Sequence, residues 1–350
     1  INYSESSKRE TNTMPQWAGS CWYYMRYCDP GNTDRFISKE AEEYWSGTTD
    51  ASSATGMVDL YVGGTEHAVL HLLYARFWHK VLHDLGHVST IEPFQKLVNQ
   101  GLILGEDGAK MSKSIGNVVN PDDVVSEYGA DALRLYEMFM GPLEQVKPWQ
   151  MKGVEGVSRF LAKVWRLAFE QNQEGQWVLS SKLSDEQAST ETHKDLLKVL
   201  HETIKKVSED IERLSFNTAI SQMMICTNAF GKAEQLPASL MRDLLKCLNP
   251  FAPHITEEIN SQLPIASSNT MLCNQEWPIY NEAYLVEDEV EIVVQVNGKL
   301  RGKITVAKDA AKDEIEALAQ QDENVIQHTE GKTIRKIIVV PGRLVNIVAN

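Results

Sequence analysis

Between Met57 and Leu85 the chain runs MVDLYV, then GGT, then EHAVLHLLYARFWHKVLHDL. The first piece is a short apolar run of strand type. Gly63-Gly64-Thr65 breaks it. Apolar residues then recur at helical spacing, which predicts an amphipathic helix from Glu66 to about Leu85. Strand, glycine break and helix, in that order, form the unit that builds parallel sheets with ligands at the strand ends. A second apolar stretch, LVNQGLIL, closes the segment Phe94–Leu104 and is expected to be the last parallel strand. The first part of the chain is therefore an α/β layer whose chemistry gathers at one sheet edge.

The segment delivered to that edge is Gly105–Asn117, GEDGAKMSKSIGN. Gly105 and Gly108 flank a Glu-Asp pair, so the residues before the lysines form a turn. Lys110 and Lys113 follow, three apart, with Ser112, Ser114 and Gly116 around them. Such a loop can close over a polyphosphate and supply cationic donors to charge that develops during transfer. A lone K-x-x-K is equally what a solvated surface loop looks like. Upstream, the helix start after Gly64 offers free amides and a positive dipole end to a polar or anionic ligand. His67 and His71 are four apart and are expected on one helical face. Zinc could use such a pair, but Glu66 precedes His67, so H-E-x-x-H is not formed, and no third ligand is apparent. A pair of core-facing histidines is the plain alternative. His83–His87, HDLGH, closes a helix at Gly86 instead of opening one.

Arg9–Tyr27 reads RETNTMPQWAGSCWYYMRY. Ser20, Tyr23 and Tyr24 are three and four apart and share a helical face; any of these rings could serve a core or a pocket. Asp29–Asp50 reads as a surface connection with a short helix through Ser38–Trp45. Asn120-Pro121-Asp122-Asp123 is a helix start, with Asn as cap, Pro in the first turn and acids at the positive end. A second start follows at Gly129-Ala130-Asp131, and Gly141-Pro142 ends that pair. From Gly153 to about Leu285 long amphipathic helices predominate. Phe160, Leu161, Val164, Trp165, Leu167 and Ala168 set the period, and Gln171–Ser189 is expected to be a loop. Leu196–Leu214, Ala219–Ala229 and Leu236–Leu248 are then helical, and Pro250–His254 opens the last helix of a bundle. Near Val286 the period changes to 2. Val290, Ile292, Val294 and Val296 alternate with Glu291, Val293 and Gln295, and Asn297-Gly298 is a hairpin turn. Lys299, Arg301 and Lys303 are expected on one face of the returning strand. A helix at Lys312–Gln320, a strand Ile334–Val340, a break at Pro341-Gly342 and a final LVNIVA complete a small β-β-α-β-β domain.

The 350 residues allow two or three domains. A net charge of −14 argues against bulk attraction to nucleic acid, so any RNA contact must come from local basic patches. The five cysteines, Cys21, Cys28, Cys226, Cys247 and Cys273, form no C-x-x-C pair. This gives no structural zinc and a reducing, cytoplasmic setting. No run of about 18 apolar residues predicts a membrane span. The chain opens INYSESSKRE, without initiator Met or signal peptide, and is expected to be a fragment or subunit of a longer reading frame.

KMSKS at Lys110–Ser114 resembles the second signature of class I aminoacyl-tRNA synthetases, and GGTEHAVLHLLYARFWHKVL resembles the bacterial leucyl-tRNA synthetases within that class. The resemblance implies a Rossmann-like catalytic portion over residues 1–118 and stem-contact helices over 119–152. It also implies a helical tRNA-binding bundle of the anticodon-binding type over 153–285 and a small α+β C-terminal tRNA-binding domain over 286–350. The first class I signature and the editing insertion are absent from the chain. By resemblance, Lys113 and Lys110 act in catalysis, and with Ser112, Gly63, Gly64 and Glu66 they bind ATP. Trp17, Ser20, Tyr23, His67 and His71 would line the leucine pocket; many relatives carry Phe where Trp17 stands. Lys299 and Arg301 would contact tRNA phosphates. The implied partners are ATP with Mg²⁺, leucine and tRNA(Leu), in a monomeric full-length enzyme. Two other readings stay open: a non-catalytic tRNA-binding module, and part of an isoleucyl or valyl enzyme.

Overall fold

The computed structural model describes residues 2–4, 7–8, 16–47, 56–265, 270–285, 289–307, 310–340 and 342–350. Residues 9–15 of the first aromatic segment, 48–50 of the polar connection, Val286 at the expected change of period, and Pro341 lie outside the described residues. The chain divides into two compact units, Ile1–Pro278 and Ile279–Asn350.

In the first unit the strand Gly56–Gly64 pairs in parallel with Glu92–Gln100, in register from Gly56 opposite Glu92 to Gly64 opposite Gln100. The helix His71–Asp84 makes the crossover. Tyr24, Met25, Ile37, Met57, Ala75 and Val88 form the core around it, from elements that cannot bury their apolar faces alone. His79 lies fully buried beside that core. Tyr24 OH donates to its Nδ1 at 2.9 Å, and its Nε2 is 3.0 Å from the Thr90 carbonyl and 2.9 Å from Thr90 Oγ1. Burial pulls its pKa down to about 4, so the ring is neutral at pH 7.

Two expectations about this layer need correction. The helix does not begin at Glu66. Thr65–His67 is a 3-10 turn, Leu70 leaves helical geometry at φ −111°, ψ −106°, and the α-helix starts at His71. His67 and His71 therefore do not share one helical face. LVNQGLIL is likewise two strands, not one. A Cβ on Gly101 would lie 2.0 Å from the Gln145 carbonyl oxygen, because the chain at Gln145–Val146 crosses there. Beyond the crossing, Ile103–Leu104 pairs in parallel with Lys147–Pro148.

The helices Pro121–Tyr128 and Ala130–Phe139 follow. Asn120 caps the first, its side chain accepting from the Asp122 amide at 3.2 Å. The bundle is built from Met151–Ala168, Lys194–Glu212, Phe216–Lys232, Ala238–Leu248 and Pro253–Gln262. Asp131 joins the two sets. Its carboxylate accepts from the Ile255 amide at 2.7 Å and sits 2.8 Å from His254 Nδ1, at the start of the last helix. The stretch read as a loop at Gln171–Ser189 contains short strands: Phe169–Gln171 pairs with Trp177–Leu179, and Leu183–Ser184 pairs with Leu236–Pro237.

The second unit is a four-stranded sheet of Glu289–Val296, Lys299–Ala307, Ile334–Val340 and Leu344–Ala349. The first strand pairs antiparallel with the second and parallel with the last. Ile292, Val294, Val296, Val306, Val345 and Ile347 face a core closed by helices. There are two helices where one was expected, Lys312–Gln321 and Glu323–Thr329. Asp322 caps the second, accepting from the Asn324 and Val325 amides.

Candidate active site

Trp17, Ser20, Tyr23, His67 and His71 come together, and the strand adds Tyr61. The His71 ring is held at both nitrogens. Nδ1 is 3.1 Å from Ser20 Oγ, and Nε2 is 2.8 Å from Tyr61 OH. Ser20 Oγ–H donates to the Trp17 carbonyl at 2.9 Å, so Ser20 must accept from His71. That assigns the proton to Nδ1 and leaves Nε2 to accept from Tyr61. Tyr61 oxygen in turn accepts from Tyr23 OH. One donor direction thus runs Tyr23, Tyr61, His71, Ser20, Trp17. Burial first, and then His67, lower the His71 pKa, which keeps the ring neutral as the chain of bonds requires. His67 packs edge-on to Trp17 at 5.3 Å and to His71 at 6.3 Å between ring centroids. Tyr61 stacks on Phe94 at 3.9 Å. The wall holds no carboxylate, lysine or arginine.

Three buried polar atoms here have no partner among the described residues: Trp17 Nε1, His67 Nδ1 and Asn99 Oδ1. Buried polar atoms are rarely left so, and a bound polar ligand is what would satisfy them. Tyr61 and Asn99 were both missed in the sequence. Tyr61 was read only as part of an apolar strand; its phenol at the last turn of a strand entering a glycine break was the available signal. Asn99 stands opposite Gly63 in the sheet register, a relation no linear pattern displays.

Gly64 and Glu66 wall a cleft of about 560 Å³ together with Gln100, Ile103, Glu137 and Lys147. The Glu66 carboxylate folds back over Gly64, where a Cβ would fall 2.2 Å from Oε2. Gly63 is half-buried, with open space above its Cα. Burial raises the Glu137 pKa and lowers that of Lys147. The Lys147 ammonium donates to the Gly141 and Pro142 carbonyls.

The lysine loop leaves this cleft at Leu104. Its neck is a tight hairpin: Leu104 bridges Lys110, and the Gly105 amide donates to the Ala109 carbonyl at 2.8 Å. Asn117 braces the neck. Its Oδ1 accepts from the Ser112 amide at 2.8 Å, and its Nδ2 donates to Asp107 Oδ2 at 3.1 Å. A Cβ on Gly105 would lie 2.7 Å from Asp107 Oδ1 and would push that side chain off its place in the neck. Ser112 Oγ turns inward to Ser114 Oγ at 2.8 Å. Lys110 and Lys113 are exposed and make no ion pair among the described residues. Glu106 ties the neck to the bundle, its Oε1 accepting from the Met151 amide at 3.1 Å.

In the terminal unit, Lys299, Arg301 and Lys303 do not share one face. Lys303 lies opposite Val293 and Lys299 opposite Val296, with a register shift between Val294 and Gln295. One extra residue in a period-2 strand moves everything beyond it to the other side. Lys303 is also paired with Glu291 at 2.7 Å. Lys299 is exposed and Arg301 half-buried.

Residues 65–147 match the family described as tRNA synthetases class I (I, L, M and V), and residues 193–317 match the anticodon-binding domain of tRNA ligase. The agnB2 LeuRS of Agrobacterium radiobacter K84, solved as a ternary complex with tRNA and LeuAMS, superposes with a TM-score of 0.69 at 32% identity. That match covers 95% of this chain and 42% of the other, so the chain spans well under half of that protein's length. The methionyl-tRNA synthetase of Mycobacterium tuberculosis, solved with methionyl-adenylate, gives a TM-score of 0.48 at 18% identity, over 73% of this chain and 52% of its own. The chain has the class I aminoacyl-tRNA synthetase fold and matches the catalytic and anticodon-binding regions of a leucyl-tRNA synthetase.

Proposed function

We propose that this chain is the C-terminal part of a leucyl-tRNA synthetase, working with ATP, Mg²⁺, leucine and tRNA(Leu). The observation that carries the reading is the wall of Trp17, Ser20, Tyr23, Tyr61, His67 and His71, which holds no carboxylate, lysine or arginine. A charged amino-acid side chain would lose its hydration there without meeting an opposite charge; a branched apolar one would not, and Trp17 Nε1 and His67 Nδ1 are left for the polar groups of the ligand. The chemistry is two transfers. The leucine carboxylate attacks the α-phosphorus of ATP, the bond from that phosphorus to the α,β-bridging oxygen breaks, and pyrophosphate leaves. A ribose hydroxyl of the terminal tRNA adenosine then attacks the leucyl carbonyl, and AMP leaves. The first nucleophile is already an anion, so the site's task is alignment and relief of charge on the leaving group. Lys113 and Lys110 supply that relief, and Mg²⁺ arrives with the nucleotide. Gly64, Glu66 and Asn99 stand on the nucleotide side. The five free cysteines suit a reducing, cytoplasmic setting.

Shape alone separates leucine from isoleucine or valine by roughly 1–3 kcal/mol per methylene. The test is therefore comparative: leucine-, isoleucine- and valine-dependent ATP–pyrophosphate exchange by the longer enzyme containing this chain, unaltered and with Lys113→Ala. Leucine should be preferred, and the variant should lose about 10²-fold or more of the exchange rate. Exchange led by isoleucine or valine would move the reading to a sister enzyme. No exchange with any of them, alongside tRNA binding, would leave a non-catalytic RNA module. An unchanged rate in the variant would remove Lys113 from the chemistry.

A further inference from the structure

A cavity of about 590 Å³ lies where the end of the helix Lys194–Glu212 meets the helix Ala130–Phe139 and the turn before the last bundle helix. Its apolar wall is Met138, Ile211, Phe216, Pro250, Phe251 and Trp277. Phe216 meets Phe251 edge-on at 5.9 Å between ring centroids. Trp277 closes one side and cannot swing freely. Its indole Nε1–H donates to Ser208 Oγ at 2.8 Å, and the Ser208 hydroxyl donates to the Ile204 carbonyl at 2.7 Å. The ring is still 38% exposed. With its one polar atom already satisfied, it offers the cavity only an apolar, electron-rich surface.

The charges that line this cavity are both negative. Among the described residues they are Glu209 and Glu212. Both stand in the last turn of their helix, which holds no base. That end carries the negative pole of the helix, where cations are favoured and carboxylates are not. Arg213 reaches Glu209 at 3.4 Å, and Arg134 donates to the Pro250 carbonyl at 2.9 Å, but neither lines the cavity. Glu212 is exposed and makes no ion pair among the described residues. An apolar hollow thus carries an uncompensated negative rim. Met138 and Phe216 also line the cleft beside Gly64 and Glu66, so the two cavities share a wall.

We infer that this cavity is a separate small-molecule site for a ring-bearing organic cation, its ring among Phe216, Phe251 and Trp277 and its ammonium at Glu212. The volume falls in the range of single-ligand pockets, roughly 300–1,000 Å³. The rings take the apolar body, and the rim takes the charge. An ammonium beside the indole gains from the ring as well as from the carboxylate. A neutral ligand would use the rings alone, and an anion would meet repulsion at the rim. The inference goes beyond the proposed function and does not rest on it.

The experiment titrates the whole chain by calorimetry at low salt with three probes that share a ring system and differ in charge: naphthylethylammonium, naphthylethanol and naphthylacetate. The cation should bind about three-fold more tightly than the alcohol and about ten-fold more tightly than the anion. Glu212→Gln should erase the preference for the cation and leave the alcohol within about two-fold of its original affinity. Trp277→Ala should weaken cation and alcohol alike by about five-fold or more. Glu155→Gln, on the helix Met151–Ala168, is the control and should change nothing. The carbon-13 methyl resonance of Met138, assigned by its loss in Met138→Leu, should move as the cation is added. If Trp277→Ala does not fold, Glu212→Gln, at an exposed position, decides. No binding of the cation at about 1 mM, equal affinity for the three probes, or a preference untouched by Glu212→Gln overturns the site. So does an equal loss in Glu155→Gln, or binding that leaves the Met138 resonance in place.

Discussion

Removing one oxygen at Tyr61 interrupts the line of hydrogen bonds at its middle. In Tyr61→Phe the ring stays on Phe94, so no cavity opens and no apolar area is lost. Two bonds go: the donation to His71 Nε2, 2.8 Å long, and the acceptance from Tyr23 OH. Each contributes about 0.5–1.5 kcal/mol net. His71 is only 8% exposed, so water cannot readily replace the lost donor and the cost sits at the upper end. The expected loss is about 2–3 kcal/mol of stability in the Ile1–Pro278 unit, read as a shift of its urea midpoint at unchanged slope. Tyr23→Phe removes only the terminal donor and should cost about 0.5–1.5 kcal/mol. The double variant should cost clearly less than the two singles summed, because they share a bond. Long-range proton–nitrogen NMR on the histidine rings gives an independent reading, with His71 protonated at Nδ1 in the unaltered chain. Finding the proton on Nε2, or a Tyr61→Phe variant within about 0.3 kcal/mol of the unaltered chain, would refute the assigned direction of the bonds.

Asn117→Ala should free the loop without unfolding the sheet. Trypsin cleavage after Lys110 and Lys113 should quicken several-fold, while the melting temperature moves by no more than a few degrees. Stability should also fall with acid in two stages. His79 is held at about 4 against an ordinary 6.5, so the unfolded chain takes up the proton first. Its contribution is complete above about pH 6.5 and is lost as the pH drops toward 4. Glu92 is held at about 2, chiefly by its hydrogen bond from Arg76 and then by Lys80. Its contribution is complete above about pH 4.5 and is lost between there and pH 2. Urea midpoints against pH should flatten in the upper stage for His79→Gln and in the lower stage for Glu92→Gln.

The parallel pair, the lysine loop, the helical bundle and the β-rich terminal unit were legible because each has a period or a punctuation of its own. The gathering of Trp17 and Ser20 with His67 and His71 was legible only through resemblance to a family. The misses share a cause. The break at Gly101 is made by the chain at Gln145, more than forty residues away, and the start of the crossover helix at His71 is held by partners on two other elements. Sequence periodicity sees neighbours along the chain, not what crosses above them. Lys299 and Lys303 illustrate the same point within one strand, where a single inserted residue undid an alternation that looked regular.

The neck of the lysine loop limits how far its cations can travel. Lys110 is pinned to Leu104, and Asn117 is pinned to both Ser112 and Asp107. Lys113 is three residues from the first pin, and an extended chain spans at most about 3.6 Å per residue. With the neck intact, its Cα stays within about 11 Å of Lys110. Its ammonium can therefore reach no further from Lys110 than that radius plus one lysine side chain, so the hairpin at Leu104, more than the charge, sets where the second cation can go.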